Sequence, residues 1–361
     1  MYMLLYFDLM EVDILPAKEN TKNKPRVRKP LGTDMKIFIA VCIVVALVLG
    51  AAVVYIVTPK DIAVVKNNKI TNAEFRYFYS SAYQQLYTSY YLTGLLGQIG
   101  EETIAALAKQ QALSNAAEVE YLLQEADREG FSVNKEDLDK AVSDFESSIK
   151  ENAETLNVSL NTFVQQAYGI KYNQLLSIYK DLFKAQKYYE KLIGDMQTEE
   201  EELKAYYEEN KDSFDYNTVR HILIKCDEDA EDSVVDEKRK LAESILERVN
   251  KGEDFAALAK EYSEDDGSKE NGGLYDVRKG QMVEEFEEWT FSHNVGDTGL
   301  VRTMYGFHVM KLEGITNTFD ALKEDVEEAF KIEKYQTALQ EALTDGEYKV
   351  EIKDAYYDFA G

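Results

Sequence analysis

Residues Ile37–Val57 read IFIAVCIVVALVLGAAVVYIV, 21 positions without a charge. No other stretch limits the architecture as strongly. At about 1.5 Å of rise per residue, a helix of this length matches the roughly 30 Å hydrocarbon core of a bilayer. A soluble amphipathic helix would carry polar side chains at regular intervals, and this run carries none. Lysine and arginine are retained on the cytoplasmic side of such spans. Lys18, Lys22, Lys24, Arg26, Arg28, Lys29 and Lys36 precede the run, against Lys60 and Lys66 after it. The expected layout is a basic cytoplasmic tail over residues 1–36, one transmembrane helix over 37–57 and an extracytoplasmic remainder. A cleaved signal peptide beginning at Met35 is the competing reading, because Gly50-Ala51-Ala52 offers small residues for cleavage. The long basic leader and the length of the span favour an uncleaved anchor in the cell membrane.

Charge and cysteines exclude several function classes. The formal net charge is −26, and phosphate contacts need clustered Lys and Arg that the part beyond the span lacks, so nucleic acid is not an expected partner. Cys42 lies in the apolar run and Cys226 far beyond it. They do not pair, and neither sits in a metal-ligand spacing. No metal and no cofactor are expected.

Beyond the span, Asp61–Val65 and the turn-forming Lys66-Asn67-Asn68-Lys69 suggest a small hairpin. Thr71 and Glu74 form a capping box, Thr-x-x-Glu, that starts a helix near Asn72. Its aromatic residues, from Phe75 to Tyr91, outnumber what one core-facing stripe needs. Helical periods continue to Asn210, which predicts an all-helical module over 61–212. The texture changes at Ser213. Strand-like Thr218–Lys225, helices over Glu237–Asn250 and Phe255–Tyr262, the Gly272-Gly273 turn, a helix over Val283–Phe291 and strands near Gly299–Arg302 and Phe307–Leu312 predict a compact α+β unit over 213–315. Residues 316–361 return to a helix and a final strand that complete the helical module, so the α+β domain is an insertion into it.

Two of the three histidines lie in matched strand-like frames inside that insertion, His221 in Val219–Ile224 and His308 in Tyr305–Met310. The third, His293, sits in a turn-like stretch and reads as an exposed loop residue. From Arg220 onward an ordered set of short motifs follows. It comprises Arg220-His221-Ile222-Leu223, Gly252-x-Asp254-Phe255-x-x-Leu258-Ala259, Tyr262-Ser263-Glu264-Asp265, Gly272-Gly273-Leu274, Gly280-Gln281-Met282, Phe286 and Thr303-x-x-Gly306-Phe307-His308. Across about residues 216–315 this set resembles the parvulin family of peptidyl-prolyl cis/trans isomerases. Outside it the chain more loosely resembles the PrsA/SurA-like extracytoplasmic foldase group, which places a parvulin domain between helical segments from both chain ends. PrsA is typically a lipoprotein, and this chain departs by lacking a lipid-attachment cysteine.

The resemblance implies a four-stranded antiparallel sheet with flanking helices for the inserted domain. It implies polar catalytic roles for His221, Asp265, Thr303 and His308, and a proline pocket formed by Leu274, Met282 and Phe286 with Phe307 near its edge. Asp265 stands where parvulins carry cysteine or aspartate. A carboxylate is a poor acyl-transfer nucleophile beside a thiolate, so an electrostatic role is expected. Many relatives read Gly-Gly-Asp-Leu-Gly where this chain has Gly272-Gly273-Leu274-Tyr275-Asp276, which leaves the loop shape and the turnover open. The loop Asp227–Asp232 is acidic where phosphate-directed relatives are basic, so phosphorylated substrates are disfavoured. The expected function is an isomerase and foldase for secreted proteins. The alternative is a holding chaperone with a parvulin fold and little turnover. Expected partners are unfolded or nascent secreted polypeptides with Xaa-Pro bonds, the membrane through one helix, and a second copy of the chain as a homodimer.

Overall fold

The computed structural model describes residues 61–359. The basic tail and the Ile37–Val57 span lie outside the described residues, within which no helix is long and apolar enough to cross a membrane. Contacts divide the chain into two compact units. One runs up to Met196 and resumes at Lys334; the other is Gln197–Glu333.

The first unit opens on a hairpin of β1 (Ala63–Val65) and β2 (Asn68–Ile70). The terminal strand Val350–Ile352 pairs antiparallel with the other edge of β1, Ala63 standing opposite Ile352. Both ends of the described chain therefore meet in one three-stranded sheet. Helix α1 (Asn72–Leu92) begins with the capping box the sequence indicates. The Glu74 amide donates to the Thr71 hydroxyl and the Thr71 amide donates to the Glu74 carboxyl, each at 3.2 Å. Phe75, Phe78, Tyr79, Ala82 and Tyr83 recur at three- and four-residue spacing and are buried, as one face of a 3.6-residue helix requires. Helix α2 (Glu101–Arg128) buries Ala108, Ala112 and Ala116 at one alanine per turn, and such small side chains let helix axes approach closely. Helices α3 (Lys135–Thr155), α4 (Leu160–Tyr168) and α5 (Tyr172–Asp195) complete the bundle. The aromatic surplus of α1 divides by position. Its first half is core, whereas Tyr91 and Leu92 at its end are exposed, as are Leu95 and Leu107.

Helix α2 also carries carboxylates into this core. Glu118 accepts from the Tyr335 hydroxyl at 2.9 Å, and Glu125 accepts from Tyr348 and pairs with Arg128. Glu120 is buried, and its Oε2 has no conventional donor. Glu74 supplies one. Burial, then the adjacent charge of Glu120, push the Glu74 carboxyl up to about 8, so near neutral pH it keeps a proton and donates it to Glu120.

The second unit is built on an antiparallel sheet of order β4-β3-β6-β5, formed by β3 (Tyr216–Lys225), β4 (Leu274–Val277), β5 (Thr298–Thr303) and β6 (Gly306–Thr316). Helix α6 (Glu200–Glu209) precedes it, α7 (Asp232–Asn250) and α8 (Phe255–Tyr262) follow β3, α9 (Glu284–Ser292) follows β4, and α10 (Phe319–Thr344) follows β6. Both faces of the sheet are covered. Ile222, Ile224, Phe307 and Val309 pack with Ala242 and Ile245 of α7 and with Phe255 and Leu258 of α8. Val219, Val277, Val301, Met310 and Leu312 pack with Phe286 and Trp289 of α9. The strand period of two sorts these sets strictly. Residues 213 and 315, the bounds the sequence suggests for the insertion, lie inside this unit. The reason is a satellite core in which Leu203 and Tyr207 of α6 meet Leu322 and Val326 of α10.

Candidate active site

The centre of the sheet carries both strand histidines on the α9 side. Register places Leu223 opposite His308 and His221 opposite Met310, so the two rings are diagonal neighbours on one face. Each is 4% exposed, which leaves their polar atoms only protein partners. Their Nδ1 atoms are 3.2 Å apart. His221 Nε2 lies 3.1 Å from Asp265 Oδ2 and 3.0 Å from Ser268 Oγ, while His308 Nε2 lies 2.9 Å from Thr303 Oγ1. Phe286 meets both rings edge-on, at centroid distances of 5.4 and 5.3 Å.

The electrostatics keep both rings neutral. Burial lowers the His221 pKa against the pull of Asp265. His308 is driven down to about 3, first by burial and then by His221 beside it. At Asp265 burial acts to raise the carboxyl, but the Ser268 hydroxyl, His221 and the Gly267 amide together hold it below its usual range. These states assign every proton. An ionised carboxylate only accepts, so His221 donates from Nε2 and its Nδ1 is bare. His308 therefore donates from Nδ1, and its bare Nε2 accepts from the Thr303 hydroxyl. Thr303 in turn accepts from the Tyr305 amide at 3.2 Å. The result is a one-way relay from Thr303 through two neutral imidazoles to Asp265.

The Gly272-Gly273 turn positions His221 directly. The His221 amide donates to the Gly273 carbonyl at 2.8 Å. Gly273 has φ +78°, and a Cβ there would stand 2.2 Å from the His221 carbonyl oxygen. Only glycine fits so close a backbone approach.

Of the residues the sequence nominates, His221, His308, Asp265, Thr303 and Phe286 converge, and Met282 packs on the same apolar cluster as Phe286. Two do not join them. Phe307 belongs to the opposite face, packed among Ile222, Ile224 and α8 with the Arg302 guanidinium 4.6 Å over its ring. It cannot edge the pocket, because it is adjacent to His308 in a strand and so points the other way. Leu274 stands opposite Arg220 and shares that residue's side of the sheet. Its neighbour Tyr275 stands opposite Val219 and turns to the histidines. Sequence reading also missed Ser268, fully buried and donating to Asp265. Its signal was a serine three residues beyond the aspartate, within reach of one turn.

Residues 204–315 match the PPIC-type PPIase domain family and residues 27–188 the SurA-like N-terminal domain family. Foldase protein PrsA of Caldanaerobacter subterraneus subsp. tengcongensis is 32% identical over 285 residues, 78% of this chain and 82% of that protein. Foldase protein PrsA 3 of Bacillus anthracis is 29% identical over 275 residues, 73% and 86% of the two chains. The crystal structure of a PrsA peptidylprolyl isomerase from Bacillus cereus is 27% identical, covering 82% of this chain and 95% of that one, with a TM-score of 0.27 that adds no structural weight. On the sequence relationship, the chain belongs to the PrsA foldase family, and its sheet-bearing unit carries the PPIC-type, parvulin-class peptidyl-prolyl isomerase domain.

Proposed function

We propose that Xaa-Pro rotation takes place on the α9 face of the sheet, where the neutral relay meets Phe286 and Met282. The barrier, about 20 kcal/mol, arises because the amide nitrogen donates into the carbonyl, and no bond need break to cross it. Met282 and Phe286 supply apolar surface for the proline ring. The relay supplies a fixed, desolvated polar wall against which the carbonyl can leave the amide plane. Asp265 acts by its charge. It accepts from Ser268 and His221, which leaves it a weak nucleophile, and neither histidine carries a spare proton for acid catalysis. The observation that carries this reading is the directed Thr303–His308–His221–Asp265 relay beside Phe286.

The test is cis/trans exchange of an unphosphorylated Xaa-Pro peptide, followed by NMR with the full chain in detergent. Exchange above the uncatalysed rate, reduced by Met282→Ala, His308→Ala and Asp265→Ala, supports non-covalent catalysis here. Exchange equal to peptide alone, with an unfolded client still kept soluble, would leave the holding-chaperone alternative.

The helical unit is assigned the holding of unfolded secreted polypeptides outside the cytoplasm. Tyr91, Leu92, Leu95 and Leu107 are the exposed apolar side chains that favour this role. A homodimer would use the same surface, so concentration-dependent sedimentation that Leu92→Glu abolishes distinguishes pairing from client binding. Residues 61–212 and 316–361 are taken as the holding module and 213–315 as the catalytic one. Residues 37–57 are taken as a single-pass anchor with the amino terminus inside, supported by the apolar run and its basic flank. Protease added to spheroplasts should then remove the part beyond Lys60, and a chain lacking 1–59 should no longer fractionate with membranes.

A further inference from the structure

Tyr275 occupies the position where this chain departs from the Gly-Gly-Asp-Leu-Gly pattern, and the surrounding geometry gives it a task. Its ring stands 5.3 Å from the His221 ring. Its hydroxyl reaches over Gly267, where an added Cβ would lie 2.6 Å from that oxygen and 3.6 and 3.9 Å from the two Asp265 carboxylate oxygens. Hydroxyl and carboxylate thus flank one glycine. That glycine has no need of an unusual backbone angle, so what excludes a side chain there is the tyrosine itself. The charge and acceptor atoms of Asp265 keep the Tyr275 hydroxyl protonated, behind the effect of burial, so it is a donor.

We propose that Tyr275 is a positioning residue for the isomerase reaction, its hydroxyl holding the Asp265 carboxylate against His221 and so setting the direction of the relay. This deepens the isomerase reading and rests on it. The groups facing Asp265 are His221 from β3, Tyr275 from β4, and Ser268 with the Gly267 amide from its own loop. Beyond them lies the relay's other ring, His308 of β6, on which Arg302 of β5 acts. Among these Tyr275 alone lies on the edge strand β4, with its hydroxyl over the loop that carries Asp265. It couples the edge strand to the catalytic loop. Without its hydroxyl, Asp265 is free to swing towards Ser268, which lengthens the contact that holds the His221 proton on Nε2.

The test uses the full chain in detergent. Its three histidines make the imidazole nitrogens individually resolvable by 15N NMR. Tyr275→Phe keeps the ring and removes the hydroxyl. The expected result is a His221 Nε2 signal displaced towards a mixture of tautomers, together with a fall in kcat/KM of about ten-fold, the low end for one lost hydrogen bond to a charged group. Gly267→Ala should reproduce both effects by displacing the hydroxyl, and should add nothing further in the Tyr275→Phe background, where the methyl group finds room. Histidine signals that superimpose on the wild type, or an unchanged kcat/KM, would overturn the proposal, as would additive losses in the double variant. Loss in Tyr275→Ala with Tyr275→Phe equal to wild type would reduce the residue to packing, which also overturns it. If the wild-type chain itself shows no exchange, the isomerase reading fails, while the His221 signal in Tyr275→Phe still tests the hydroxyl separately: undisplaced, it shows that Tyr275 does not hold the carboxylate.

Discussion

A second proton on His221 would set two N–H donors against each other across 3.2 Å, and one on His308 would take the Nε2 that accepts from Thr303, so at residue scale the relay dictates how stability responds to acid. His308 has its pKa lowered from 6.5 to about 3 in the folded chain. Between those values the unfolded chain binds a proton that the folded chain refuses. The stability of the sheet-bearing unit is therefore complete above about pH 6.5 and should fall as pH drops towards 3. Urea midpoints from pH 7 to 4 check this, and His308→Gln should flatten the curve. Glu74 behaves with the opposite sign. Its pKa is raised from 4.5 to about 8, so its contribution is complete below 4.5 and lost as pH rises through 8. Glu74→Gln, which keeps a donor for Glu120, should make the helical unit less sensitive to pH between 6 and 9, read as the drift of its urea midpoint.

At the scale of the element, the turn before β4 is the sharpest constraint. Gly273→Ala must place a methyl group on the His221 carbonyl while adopting a left-handed backbone. The expected loss is at least about 2 kcal/mol, measured by urea denaturation, with isomerase activity falling further because the strand bearing His221 has to move. The capping box of α1 is legible in four residues because it is local: hydroxyl, amide and carboxyl lie within one turn. The β4 strand is harder to see in the sequence. It has four residues, its outward Asp276 is polar, and it exists because β3 offers it an edge, with Tyr275 opposite Val219. Leu274 and Phe307 read as pocket residues for a related reason. Motif order identifies neighbours along the chain, whereas adjacent strand residues face opposite ways, and the face each takes follows from the register of the partner strand.

Across the whole molecule, two units with opposed pH responses should unfold separately. Calorimetry should resolve two transitions, the sheet unit's moving down in temperature as pH falls from 7 to 4, and the helical unit's moving down as pH rises from 6 to 9. A single transition with one pH dependence would count against independent units. Much of this architecture is written locally. Helical periods, the strand frames of His221 and His308, the Gly-Gly turn and the ordered motifs each depend on side chains within a few residues of one another, and those are what hydrophobic period, capping and backbone freedom act on. The amino-acid sequence alone thus determined the helical periods, the strand frames that carry His221 and His308, and the turn beside them. Tertiary structure decided the rest: which face each strand residue takes, that Ser268 and Tyr275 attend Asp265, and that α6 and α10 close a core around the insertion. Those outcomes rest on contacts between residues tens of positions apart, whose energies exist only once strand register and helix packing have brought them within reach.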